Sequence, residues 1–275
     1  MRSIIRLLTV MIGLFLLLGV NVSAADKLPV FVSIVPQKYF VQQIGKSLVD
    51  VKIMVLPGAS PATYEPKPQQ MADLSKAHIY FAIGVPFENA WLGKIAATNS
   101  KMNIVHTNQG IEKLGKDPHI WLSPPLVKIQ ARNILAALQE ADPAHGSVYE
   151  ANFKEFAARI DQLDTDLKNT LAGKKGLQFM VFHPAWGYFA HAYGLKQVPI
   201  EIEGKDPKPA QLEELIEHAR EDGIKVIFVQ PQFSSQSAEL VAREIGGQVA
   251  FANPLAEDWM ANLRQVADKF EAALK

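Results

Sequence analysis

A chain of 275 residues, 48% hydrophobic and 20% charged, has apolar material for two compact lobes and the ordinary composition of a globular protein, neither disordered nor fibrous. Its 28 basic side chains balance 28 acidic ones, so no basic face recommends a nucleic-acid partner. With no cysteine, thiolate catalysis, cysteine-ligated metal and a lipid anchor on an N-terminal cysteine are all excluded.

The chain begins with Arg2 and Arg6 ahead of an apolar run from Leu7 to Val20, which ends in the small residues of Val22-Ser23-Ala24. The run is short for a bilayer span, and the pattern predicts a secretory signal over residues 1–24, cleaved near Ala24 or Ala25. Export without a lipobox cysteine predicts a freely soluble periplasmic protein, not a lipoprotein.

Beyond the signal, short β-branched runs alternate with helical patterns, as in parallel sheets covered by helices. Strands are expected over 29–35, 49–56, 78–84 and 101–107, with helices over 37–45, 67–77 and 124–140. Residues 146–173 carry Tyr149, Phe153, Phe156, Ile160, Leu163, Leu167 and Leu171 at spacings of three or four, which predicts one helix of about seven turns. The alternation then restarts, with strands over 177–182, 198–203, 225–230 and 248–252 and helices over 185–194, 209–223, 235–247 and 257–275. The phrase "EPKPQQM" from Glu65 returns as "DPKPAQL" from Asp206 in the same strand-loop-helix setting, which points to an internal duplication. The expected fold is α/β: two parallel-sheet lobes, residues 25–145 and 174–275, joined by one long rigid helix at 146–173. Ligands of open α/β sheets bind at the carboxyl ends of strands, so the cleft between lobes is the expected site.

Of seven histidines, His78, His106, His145, His191 and His218 fall on or beside helices and strands, where an imidazole is ordinarily a solvated or edge group. His119 in "DPHIWLSPP" and His183 in "FHPAWGYF" differ, because each lies in an aromatic, proline-marked loop, at positions that look equivalent in the two lobes. A pair of neutral imidazoles suits a borderline-soft divalent ion such as zinc, which asks for further ligands. Glu65, Glu201, Glu203 and Asp206 are the nearby acids, and Glu203 is the most open of them, since Glu65 and Asp206 stand just ahead of Pro-started helices. Motifs of common enzymes are absent from the sequence: there is no G-x-S-x-G, no P-loop, no G-x-G-x-x-G and no H-E-x-x-H, and no catalysis is expected.

Taken as a set, "PGASPATYEPKPQQM", "DPHIWLSP", "FHPAWGYFAHAYGL", "EGKDPKP", "VIFVQPQF" and "NPLAEDW" resemble the metal-binding solute-binding proteins of bacterial ABC importers for zinc and manganese, over essentially the whole mature chain. The resemblance implies two lobes on a rigid helix, a metal ion held between them and docking on a membrane permease. It places two ligands at His119 and His183. The family's first histidine position is Ala62 here, which cannot coordinate, and its aspartate position is Asn253, a neutral oxygen donor. The expected cargo is Zn2+, with Mn2+ or another divalent cation as the alternative, carried by a monomer. The second reading is a divergent relative with a degraded site, an adhesin-like protein or a receptor for another small ligand that uses Trp121, Trp186 and Tyr188.

Overall fold

The structure, a computed structural model, describes residues 27–202 and 204–274. The expected signal over residues 1–24 lies outside the described residues.

The first lobe begins with β1 (Leu28–Val32) and α1 (Val35–Gly45), continues through β2 (Val49–Ile53), α2 (Pro68–Leu74) and β3 (Ile79–Ala82), and ends with α3 (Pro86–Thr98) and β4 (Asn103–His106). Then come α4 (Pro124–Ala141) and the long α5 (Gly146–Thr170). The second lobe repeats the order with β5 (Gln178–Val181), α6 (Gly187–Tyr193), β6 (Lys196–Pro199), α7 (Pro209–Glu221), β7 (Val226–Val229), α8 (Gln236–Glu244) and β8 (Gln248–Phe251), and α9 (Trp259–Ala273) closes the chain.

Each sheet is parallel and four-stranded, ordered β2-β1-β3-β4 in one lobe and β6-β5-β7-β8 in the other. The duplicated phrase therefore marks duplicated topology. Its local chemistry is repeated too: Pro68 and Pro209 open the first turns of α2 and α7, where a missing N–H costs nothing. The amide oxygens of Gln70 and Gln211 accept the Lys67 and Lys208 backbone N–H groups, both at 2.9 Å.

Two expectations need correction. Helix α3 has no counterpart in the sequence reading, because Gly93 interrupts its middle and its apolar residues Phe87, Trp91, Leu92 and Ile95 form only a narrow stripe. The strand expected over 198–203 runs instead over Lys196–Pro199, since its partner β5 ends at Val181. Glu201 is thereby released from the sheet, and its N–H bonds to the Phe182 carbonyl at 3.0 Å.

Helix α5 stands behind both lobes. Toward the first, Asn152 donates to the Ile44 carbonyl at 2.8 Å and Arg159 to Gln43 Oε1 at 2.8 Å. Toward the second, Asp164 accepts from the Tyr193 hydroxyl at 3.1 Å, and Asp166 accepts from Arg264 at 2.9 Å. Its buried face of Phe156, Ile160, Leu163 and Leu167 belongs to one continuous core that takes in the first lobe, one side of the second sheet and α9. A smaller cluster around Met180, Ile227 and Val241 covers the other side of that sheet.

Candidate metal centre

Parallel strands point their carboxyl ends the same way, and in both lobes those ends face the cleft. His183 follows β5 within two residues. Its backbone is clamped by the buried Gln230 at the end of β7, whose Oε1 accepts the His183 N–H at 3.1 Å and whose Nε2 donates to the His183 carbonyl at 2.8 Å. The Phe233 ring stacks on the imidazole, with centroids 4.5 Å apart and planes at 20°. His119 lies past β4, at the start of the short turn Ile120–Leu122.

The two histidines therefore do not hold equivalent positions. One follows the last strand of its lobe and the other the first strand of its own, a distinction that strand order alone reveals. They nonetheless meet across the cleft, ring centroids 5.3 Å apart and planes at 72°.

Each imidazole is oriented by a carboxylate. His119 Nδ1 lies 2.6 Å from Asp117 Oδ1, which also accepts the His119 N–H at 2.9 Å, and His183 Nδ1 lies 2.9 Å from the buried Glu201. A carboxylate only accepts, so both Nδ1 atoms carry hydrogen, and in the neutral imidazole the lone pair is left on Nε2. That is the outer arrangement that fixes tautomer and ring direction in metal-binding histidines. Burial holds the His119 imidazolium below its ordinary range, against the opposing pull of Asp117, and so favours the neutral ligand form. With 12% and 18% of their side-chain surfaces open, the rings can be reached by an ion from solvent.

The surrounding cavity, about 110 Å³, is walled by Ala62, Pro118, Trp121, Gln232, Phe233 and Leu255, among others. Ala62 presents only a methyl group there. Asn253 Oδ1 is already engaged: it accepts the Leu255 N–H at 3.0 Å and Gln232 Nε2 at 3.1 Å. Glu203 lies outside the described residues. Glu65 is exposed, and Asp206 accepts from the Ser237 hydroxyl at 2.9 Å. Among the described residues, no group of three or more histidine, cysteine or acidic side chains converges on a metal-sized point.

Of the three aromatic candidates, Trp121 borders the cavity. Its Nε1 donates across the lobes to the Pro254 carbonyl at 2.7 Å, and Trp259 Nε1 donates back to the Trp121 carbonyl at 2.6 Å. Trp186 is buried in the core, and the Tyr188 hydroxyl accepts the Leu114 N–H at 2.9 Å. Sequence reasoning passed over Asp117, Gln230, Gln232 and Phe233. Asp117 had a local signal, since an aspartate two residues before a histidine can bond its backbone N–H. The others are set by tertiary contacts.

Two lobes of like topology, one helix bracing both and a cleft in which two imidazoles face each other are the architecture of a solute-binding receptor. The chain belongs to the family of the periplasmic zinc-uptake complex component A, whose model matches residues 30–273. It is 31% identical over 256 residues to the high-affinity zinc uptake system protein ZnuA of Bacillus subtilis, covering 85% of this chain and 80% of that protein. The manganese ABC transporter substrate-binding lipoprotein PsaA of Streptococcus mitis is 28% identical over 223 residues, 74% of this chain and 72% of its own length. A crystal structure of a ZnuA protein superposes with a TM-score of 0.89 at 45% identity, covering 91% of this chain and all of that one.

Proposed function

We propose that this protein is the exported solute-binding subunit of an ABC importer, which captures a divalent metal ion, zinc foremost, between His119 and His183 and delivers it to a membrane permease. The observation that carries the reading is the pair of imidazoles from two lobes, each with Nδ1 committed to a carboxylate and Nε2 free. Neutral nitrogen donors held in this way suit zinc. Manganese, which prefers oxygen, is the secondary cargo. The protein acts in the periplasm as a single soluble chain, with its signal removed near Ala24 or Ala25.

The test is metal titration of the chelator-stripped protein, followed by calorimetry and thermal melting. A ligand that binds only the folded state raises the melting temperature, by the equivalent of about 2.7 kcal/mol when free zinc is a hundredfold above Kd. One zinc per chain is expected, lost in both His119→Ala and His183→Ala. No uptake and no thermal shift with zinc, manganese or iron would refute the reading, and binding that survives both substitutions would move the site elsewhere.

A further inference from the structure

We infer that Gln232 supplies the metal's oxygen donor through Oε1, and that Asn253 serves as the positioning residue that turns this oxygen toward the ion; the inference rests on the metal-capture reading above. Three observations lead to it.

First, the loop after β7 is registered on His183 by the two Gln230 hydrogen bonds and by the Phe233 stack, and Gln232 lies between those anchors. Its side chain borders the same cavity as both imidazoles. Second, its orientation is determined. The Leu255 N–H can only donate, so the Asn253 atom that it meets must be the carbonyl oxygen. Gln232 must then present its NH2 group to that oxygen, which directs Oε1 the other way. Asn253 is itself held, since its backbone carbonyl accepts from Asn262 Nδ2 of α9 at 2.8 Å. Third, Gln232 Oε1 is buried and has no hydrogen-bond partner among the described residues. A buried acceptor without a partner costs stability, and such a group calls for an explanation. A cation held by the two imidazoles that border the same cavity supplies the missing interaction, because an amide oxygen is a serviceable donor to zinc and a good one to harder divalent ions.

This arrangement gives Ala62 and Asn253 a consistent role. The first family position contributes no donor, the fourth contributes orientation in place of coordination, and a neighbouring loop contributes the oxygen. A site of two imidazoles and an amide leaves the ion's double charge unneutralised, so it releases cargo more readily than a carboxylate-bearing site would.

The experiment compares the wild-type chain with Gln232→Met, which keeps size and removes oxygen, with Gln232→Asn, which keeps the amide but withdraws it by one methylene, and with Asn253→Ala. Zinc affinity is measured by competition with a chromophoric chelator, and Co2+ loading is followed by visible absorption, which reports the number and type of ligands. Each variant is expected to lose about 10–100-fold in zinc affinity, the range seen when metal-supporting groups are removed. The Co2+ spectrum should change in all three, and the metal-free melting temperature of Gln232→Met should not fall. The Gln232→Met/Asn253→Ala double variant should lose little more than either single one, because both act on one interaction. Wild-type affinity and an unchanged Co2+ spectrum in Gln232→Met and Gln232→Asn would overturn the assignment while leaving the metal-capture reading standing, provided that His119→Ala still abolishes binding. A lower metal-free melting temperature with an unchanged spectrum would identify Gln232 as a structural group only. If the wild-type chain takes up none of zinc, Co2+, manganese and iron, both readings fall.

Discussion

Asp117 shows how closely the site depends on single atoms of the opposite lobe. Its carboxylate holds His119 through Oδ1, while its Oδ2 lies against Gly187 at the start of α6, so closely that a Cβ there would collide with it. Alanine would ordinarily strengthen a helix at this position, by up to about 1 kcal/mol. Gly187→Ala should instead displace Asp117, free the His119 ring and weaken zinc binding about 10–100-fold in a chelator competition. An unchanged affinity with a higher melting temperature would show that the carboxylate can move aside. His119 also carries a pH signature. Burial lowers its folded-state value from the ordinary 6.5, so as pH falls the unfolded chain takes up this proton first. Through linkage the metal-free protein should lose stability as pH drops below about 6.5, while above that value His119 contributes no pH dependence. Urea unfolding at pH 7.5 and 5.5 should show a smaller decline for His119→Gln than for the wild type, and equal declines would contradict the assignment.

At the scale of elements, the sequence predicts what depends on periodicity and punctuation. The seven-turn helix is legible because Tyr149 to Leu167 keep one apolar face, and the two Pro-started helices because proline at a first turn has few other uses. Helix α3 escaped for want of a clear face, and β6 was misplaced because a strand's limits are set by its partner, here β5 ending at Val181. The two histidines are recognisable as a pair, yet their inequivalence is hidden until the strand order is known. Gln232 is hidden more deeply, since its free oxygen follows from an amide orientation fixed by Leu255. The tryptophan exchange between lobes is likewise a tertiary product. Trp121→Phe should leave the buried Pro254 carbonyl without its donor and cost about 1–3 kcal/mol on that account, read from urea denaturation midpoints. A loss below 0.5 kcal/mol, on the order of an ordinary surface substitution, would show that this contact between the lobes is dispensable.

At the scale of the whole molecule, the described residues form two sheets but not two independent interiors. One core runs from the first lobe through α5 to α9, with Phe40 edge-on to Trp259 at 5.1 Å and Phe270 packed on Phe179 at 4.3 Å. Calorimetry of the metal-free chain should therefore record a single transition with equal calorimetric and van't Hoff enthalpies, whereas two resolved peaks would mean that the lobes melt separately.

The position of Trp259 also bears on the order in which the molecule is assembled. This ring, on the last described helix, packs edge-on against Phe40 on the first. The first lobe cannot complete its interior until the last helix arrives. A chain that emerges amino end first, from a ribosome or through a translocation pore, consequently cannot complete the packing around Phe40 until α9 has emerged.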